Sequence, residues 1–166
     1  MPLKTVYIVR HGEKPEDETD IHLSPRGATR AAALGVLFDH SHSGGAYAPI
    51  TSLYATASSS KSRRPVETLE PLQVALSPLV VDDSIIDGDE DALVGLMHAS
   101  KQQQVALVAW HHARIRHIAI ALGVVNPPQW QGDNDVFDRI WLIDLTVSPP
   151  KLQNLPQRLL YGDDEL

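Results

Sequence analysis

Thr5-Val6-Tyr7-Ile8-Val9-Arg10-His11-Gly12-Glu13 is a short β-branched and apolar run that stops at a charged pair and a glycine. A strand covered on both faces has no reason to alternate apolar with polar residues, so a run of this length bounded by a turn signal reads as a buried parallel strand. Arg10 and His11 then stand at its carboxyl end, the edge at which open α/β sheets bind ligands. Gly12 lets the backbone turn sharply or approach a bound group closely.

A second apolar run, Val105-Ala106-Leu107-Val108-Ala109-Trp110, also ends on histidine and arginine, at His111, His112 and Arg114. Between and beyond the two runs the chain alternates. Ser24 and Pro25 open a helix that the alanine-rich segment carries to Asp39. Ser52 to Ala55 is a second strand, Arg63 to Ala75 a helix with Pro65 in its first turn, and Leu79 to Val81 a short third strand. Asp89, Glu90 and Asp91 put negative charge at a helix start whose Leu93, Leu96 and Met97 fall at core spacing. Ile115, Ile118, Ala119 and Leu122 share one face of a helix over 113–122 that Gly123 stops. Arg139 to Thr146 reads as a strand, and a last short strand follows Pro149-Pro150. Strands alternating with helices at this spacing make one α/β domain over 1–166 with a largely parallel sheet.

Composition bounds the partners. The formal charge of −7 argues against nucleic-acid or anionic-membrane binding, so any anionic substrate must be caught by a local basic pocket. There are no cysteines, which removes disulfides, thiolate metal sites and thiol catalysis together. The first strand begins without a preceding secretory pattern and no apolar run approaches about 18 residues, so a soluble, cytoplasmic protein is expected.

If the two apolar strands are neighbours, His11 and His111 meet at one edge with Arg10, and Arg64, opening the helix after the second strand, can join them. Two guanidiniums and two imidazoles form an anion pocket, because the planar guanidinium fork matches phosphate oxygens. A neutral imidazole held in one tautomer can attack phosphorus, an acid can protonate the leaving oxygen, and water can cleave the phosphohistidine. No metal or other cofactor is needed where arginines neutralise the charge developing on the equatorial oxygens.

Arg10-His11-Gly12-Glu13 after an apolar strand resembles the signature of the histidine phosphatase superfamily, also called phosphoglycerate mutase-like. Asp20-Ile21-His22-Leu23-Ser24-Pro25-Arg26-Gly27 is similar to its helix start, Arg64-Pro65-Val66-Glu67-Thr68-Leu69 to its second arginine segment, and Val108-Ala109-Trp110-His111 with Ile115-Arg116 to its second-histidine strand. The four elements occur in the family's order and span most of the chain. The resemblance implies a three-layer α/β/α sandwich and no cofactor, with His11 as the phosphorylated nucleophile, Arg10 and Arg64 clamping the phosphoryl group and His111 stabilising the transition state. It implies a phosphatase acting on a small phosphorylated metabolite or a phosphohistidine protein. A mutase and a phosphate-binding module with little turnover are the alternatives; mutases of the superfamily are generally longer, with substrate-enclosing insertions. The implied proton donor is a carboxylate after the third strand, nearest to Asp87, with Asp83, Asp89 and Glu13 open as well.

Two departures bear on the pocket: Trp110 stands where the family has a small residue, and His112-Ala113 replaces a common Gly-Gly. Either change narrows the pocket if its side chain faces inward. The spacing to Thr68, one helical turn, selects Arg64 over Arg63. Blander readings stand beside these. His22, His40 and His42 fit solvated loops, His112 and His117 a helix face rather than a metal pair, and Trp130 and Trp141 packing. Arg116 fits a structural ion pair. The carboxylates from Glu16 to Asp20 fit a solvated loop or a screen against anionic substrates.

Overall fold

A computed structural model of the chain describes residues 2–41, 45–100, 104–130 and 135–166. Six strands form one sheet in the order β3-β2-β4-β1-β5-β6. Strand β1 (Thr5–Arg10) lies between β4 (Val105–Trp110), to which it is parallel, and β5 (Arg139–Asp144), to which it is antiparallel. β2 (Ser52–Ala55) is parallel to β4 and to β3 (Val81–Asp82), and β6 (Lys151–Pro156) closes the other edge antiparallel to β5.

The sheet is covered on both faces, and β1 divides between them with the two-residue period of a strand. Val6 and Ile8 pack with Leu93, Val94 and Met97 of α4 (Glu90–Ala99) and with Ile115, Ile118 and Ala119 of α5 (His112–Ala121). Tyr7 and Val9 pack with Leu34, Leu37 and Phe38 around α1 (Pro25–Ala33) and α2 (Gly35–Phe38), and with Leu69 and Leu72 of α3 (Arg64–Ala75). The result is a three-layer α/β/α sandwich. The adjacent parallel strands β1 and β4 send their chains to opposite faces, β1 towards α1 and β4 into α5. That divergence is a topological switch point, and it opens a crevice at the carboxyl ends of the two strands.

Local chemistry moves several element ends from where the sequence places them. The first helix breaks at Leu34, before Gly35, because glycine has the weakest helix preference after proline. The third strand starts only at Val81, since Leu79 donates its amide back to Leu76 in a turn. β5 stops at Asp144, whose Oδ1 accepts from the amide and hydroxyl of Thr146 at 2.8 and 2.6 Å and so reverses the chain into β6.

Gly12 serves a close approach of protein to protein. A Cβ there would lie 2.8 Å from the Gly27 carbonyl oxygen, and one on Gly27 would lie 2.5 and 2.7 Å from the Glu13 oxygen and nitrogen. The start of α1 is thereby seated on the turn after β1, where Ser24 also donates its amide to the Glu13 carbonyl at 2.9 Å. All the close atoms around Gly27 are backbone, so no rotamer change relieves a clash. Gly27→Ala is expected to cost on the order of 1–3 kcal/mol, read as a lower urea midpoint at unchanged slope. An unchanged midpoint would show that α1 can move away freely.

Candidate active site

The register of β1 on β4 places Arg10 beside Trp110, and the His11 amide donates to the Trp110 carbonyl at 3.1 Å. His11 and His111 therefore leave neighbouring strand ends together, with ring centroids 5.2 Å apart in an edge-to-face arrangement. His11 Nδ1 lies 2.7 Å from the carbonyl oxygen of Gly12. A carbonyl only accepts, so Nδ1 carries the proton and Nε2 keeps its lone pair. Gly12 is fixed in turn by its amide donating to Thr68 Oγ1 at 2.9 Å, and Thr68 donates to the Arg64 carbonyl at 2.7 Å. The Thr68 spacing thus ties the first turn of α3 to the turn after β1.

Arg10 is buried. Its Nη1 donates to the Val136 carbonyl at 3.2 Å and its Cζ lies 4.0 Å over the Phe137 ring, but its Nε is buried with no partner among the described residues. Arg64 shows the same pattern, with Nη1 on the Asp20 carbonyl at 2.8 Å and an unpartnered buried Nε. Arg63 turns outward, to within 3.7 Å of Glu67 and 4.0 Å of Glu70. Unpaired buried donors are costly, so two on neighbouring guanidiniums mark a place for an oxyanion.

The electrostatics agree. Burial lowers Arg10 to about 10, with Arg64 acting the same way and Asp135 and Glu13 opposing, so Arg10 remains a cation at neutral pH. Burial above all, then His111, Arg10 and Arg64, holds His11 well below 6.5 against the opposing hydrogen bond to Gly12. His111 is lowered by burial, Arg64 and Arg10, with Asp87 pulling the other way. Both imidazoles are thus neutral at physiological pH. The ring nitrogens of His11 in the free protein are expected to titrate well below 6.5 in a two-dimensional NMR experiment, and a midpoint at or above that value would contradict the burial described here.

Asp87 lies in the turn before α4, exposed to solvent and close enough to His111 and Arg114 to act on both electrostatically. Asp83 is exposed as well, and Asp89 is the residue preceding α4. Glu13, attractive in sequence for its adjacency to His11, is committed elsewhere. Its Oε1 accepts from Arg30 Nη2 at 2.7 Å, Arg30 Nε at 2.9 Å and Arg26 Nε at 3.2 Å, and its Oε2 from Arg30 Nε at 3.0 Å. Both oxygens are engaged by Arg30, which makes Glu13 an anchor between α1 and the turn after β1.

The Trp110 expectation also needs correction. Its indole is fully buried in the core with Leu93, Met97 and Ile115, and its Nε1 donates to Glu90 at 3.1 Å, so it cannot narrow the pocket. Among the described residues Arg116 pairs with no carboxylate; it donates to the Pro127 carbonyl at 2.9 Å and anchors that loop. Trp130 and Trp141 pack on each other at 5.5 Å. His22 and His40 are held by Glu67 and the Tyr47 carbonyl, while His42 lies outside the described residues. Phe137, Glu90 and Arg30 escaped the sequence reading. Only Glu90 carried a signal, as part of the acidic helix start.

Beside Arg64 and Phe137 a groove of about 1080 Å³ opens between the 13–20 loop and the carboxyl-terminal segment. Nine of its lining residues are Asp or Glu against five Lys or Arg, and of those five Arg26, Arg30, Arg64 and Arg139 already bond within the protein. Among the described residues no group of three or more His, Cys, Asp or Glu is placed to hold a metal ion, and no helix is long and apolar enough to cross a membrane.

Solved structures share this architecture along nearly their whole length. The protein histidine phosphatase SixA, solved with tungstate, matches at a TM-score of 0.60 and 16% identity, over 92% of this chain and 97% of its own. A phosphoserine phosphatase variant from Entamoeba histolytica, solved with phosphoserine, matches at 0.60 and 12%, over 94% and 98%. A mycobacterial glucosyl-3-phosphoglycerate phosphatase with inorganic phosphate matches at 0.56 and 15%, over 90% and 95%. The chain has the phosphoglycerate mutase-like α/β fold that these structures share. No protein-family model and no curated protein sequence matches it.

Proposed function

We propose that this protein is a phosphatase of the histidine phosphatase superfamily, hydrolysing a phosphomonoester or a phosphohistidine through a phosphohistidine on His11. The observation that carries this reading is the locked His11 tautomer beside two guanidiniums with unpartnered Nε donors. The Nε2 lone pair attacks phosphorus as the bond to the leaving oxygen breaks. Arg10, Arg64 and a His111 N–H stabilise the charge on the three equatorial oxygens. Asp87 gives its proton to the leaving oxygen. Water then attacks the phosphorus, its proton returns to Asp87, the P–N bond breaks and inorganic phosphate departs. A phosphohistidine substrate releases an imidazole nitrogen and asks less of Asp87.

The acidic groove supports a substrate whose phosphoryl group is its main negative charge. A multiply anionic bisphosphate primer, which a mutase requires, would meet repulsion there. The burial of Trp110 removes the steric ground for a pocket too narrow to turn over. The test is brief incubation with an aryl phosphate in chelator, followed by denaturing quench and peptide mapping. Acid-labile, base-stable phosphate on the peptide containing His11 is the expected result. Chelator-sensitive turnover, or label at another residue, would overturn the mechanism.

A further inference from the structure

Glu90 is a buried carboxylate that the proposed chemistry does not use. It is 3% exposed at the first residue of α4. Its Oε1 accepts from Trp110 Nε1 at 3.1 Å, from the Gly88 amide at 2.9 Å and from Arg114 Nε at 3.1 Å. Its Oε2 accepts from Arg114 Nε at 3.1 Å and closely from Nη2. Burial pushes the carboxyl up, but the bonds from Arg114, Gly88 and Trp110 outweigh it and hold the group below the usual carboxylate range. Glu90 therefore keeps its charge and is no proton donor itself.

Its partners are not scattered. Gly88 directly follows Asp87, and both its peptide groups are held, the amide by Glu90 and the carbonyl by Arg114 Nη2 at 3.3 Å. Gly88 has φ +101°, a conformation open to glycine, and a residue that flexible holds Asp87 in one place only when its peptide groups are tied. On the other side of Asp87 the Ile85 carbonyl accepts from the Ala57 amide at 2.8 Å and the Thr56 hydroxyl at 3.3 Å. Trp110 and Arg114 bracket His111, and the Arg114 amide donates to the His111 carbonyl at 3.0 Å. One carboxylate thus ties the Asp87 turn to the strand–helix junction that carries His111. A tryptophan filling core space needs no buried anion, and an anion placed there is costly unless its geometry is used.

We propose that Glu90 is a positioning residue that, through Gly88, Trp110 and Arg114, holds Asp87 at a fixed place relative to His111, so that proton donation meets the leaving group. This rests on the phosphatase reading above. Its signature is selective, because a positioned acid matters only where the leaving group needs a proton.

The experiment compares kcat/KM on p-nitrophenyl phosphate, whose leaving group departs as an anion, with that on phenyl phosphate, whose leaving group is more basic. It uses wild type, Glu90→Gln, Trp110→Phe, Asp87→Asn and the Asp87→Asn/Glu90→Gln pair. Glu90→Gln is expected to lower the phenyl phosphate value roughly 10–100-fold and leave the p-nitrophenyl value within about 2-fold. Trp110→Phe, which removes the indole N–H together with part of the buried ring, should move the same ratio in the same direction by less. The double variant should be no slower than Asp87→Asn alone, because the two act on one step. Amide exchange at Gly88, which needs no substrate, should quicken roughly 10-fold or more in Glu90→Gln.

Parallel losses on both substrates, a further loss in the Asp87→Asn background, or unchanged Gly88 exchange would each overturn the proposal. If wild type shows turnover that His11→Ala removes while Glu90→Gln tracks wild type on both substrates, this inference alone fails. If no turnover depends on His11, the phosphatase reading fails and takes this one with it.

Discussion

His11→Ala is expected to lower aryl phosphate hydrolysis by roughly 10⁴–10⁶-fold, the scale on which removal of a nucleophile from a coupled catalytic unit is felt. The effect is large because the side chain carries three linked features. It supplies the lone pair at Nε2, the tautomer is fixed by the 2.7 Å bond from Nδ1 to Gly12, and burial, with His111, Arg10 and Arg64 acting the same way, keeps the ring neutral. Alanine leaves the strand pairing alone, since the His11 contact with β4 is made by its backbone amide. Arg10 and Arg64 also remain, so the variant should still bind inorganic phosphate within a few-fold of wild type. That pairing of lost turnover with kept binding separates a nucleophile from a residue that merely shapes the pocket. Full activity in the variant would remove His11 from the mechanism, and loss of phosphate binding along with turnover would point to collapse of the site.

What the sequence made legible is what local pattern can encode. Two apolar runs ending on histidines are visible to anyone counting periods, and parallel pairing of the same length brings His11 beside His111 without further information. Ser24 with Pro25 starts α1 as its chemistry requires. The rest depends on partners far along the chain. Trp110 looks like an obstruction beside a histidine until Glu90, 20 residues earlier, is found to accept its N–H inside the core. Phe137 belongs to a loop whose path no propensity dictates, yet it stacks under Arg10. Arg30 looks like one more solvated cation on an alanine-rich helix; only the carboxyl-terminal Asp163, 133 residues away, makes it a buried hub. Glu13 is a similar case, its neighbour in sequence being His11 and its partner in space Arg30.

That hub yields the largest expected effect on stability. Arg30 is 2% exposed and lies between two carboxylates, donating to Glu13 and to both oxygens of Asp163 at 2.7 and 2.9 Å, and to Gln157 Oε1 at 2.9 Å. Arg30→Met keeps most of the apolar stem but removes the guanidinium and leaves the Glu13 and Asp163 carboxylates without their shared cation. Breaking a buried pair on one side costs about 3–5 kcal/mol, which urea unfolding should report as a lower midpoint. The pH dependence distinguishes lost charge from lost packing. Burial raises Asp163, yet the Arg30 bonds and the Leu159 and Leu160 amides outweigh it and bring the group from 3.8 to about 2. A folded value below the unfolded one stabilises above the unfolded value, and the contribution, about 2 kcal/mol, fades as pH falls through the folded value. Between about pH 4 and pH 2 wild type therefore loses this contribution. Over the same range Arg30→Met is relieved, as its unpaired carboxylates take up protons. The gap between the two proteins should narrow on acidification; a gap that stays constant would mean that Arg30 matters for its volume, and that Glu13, and the turn after His11 with it, is held by something other than charge.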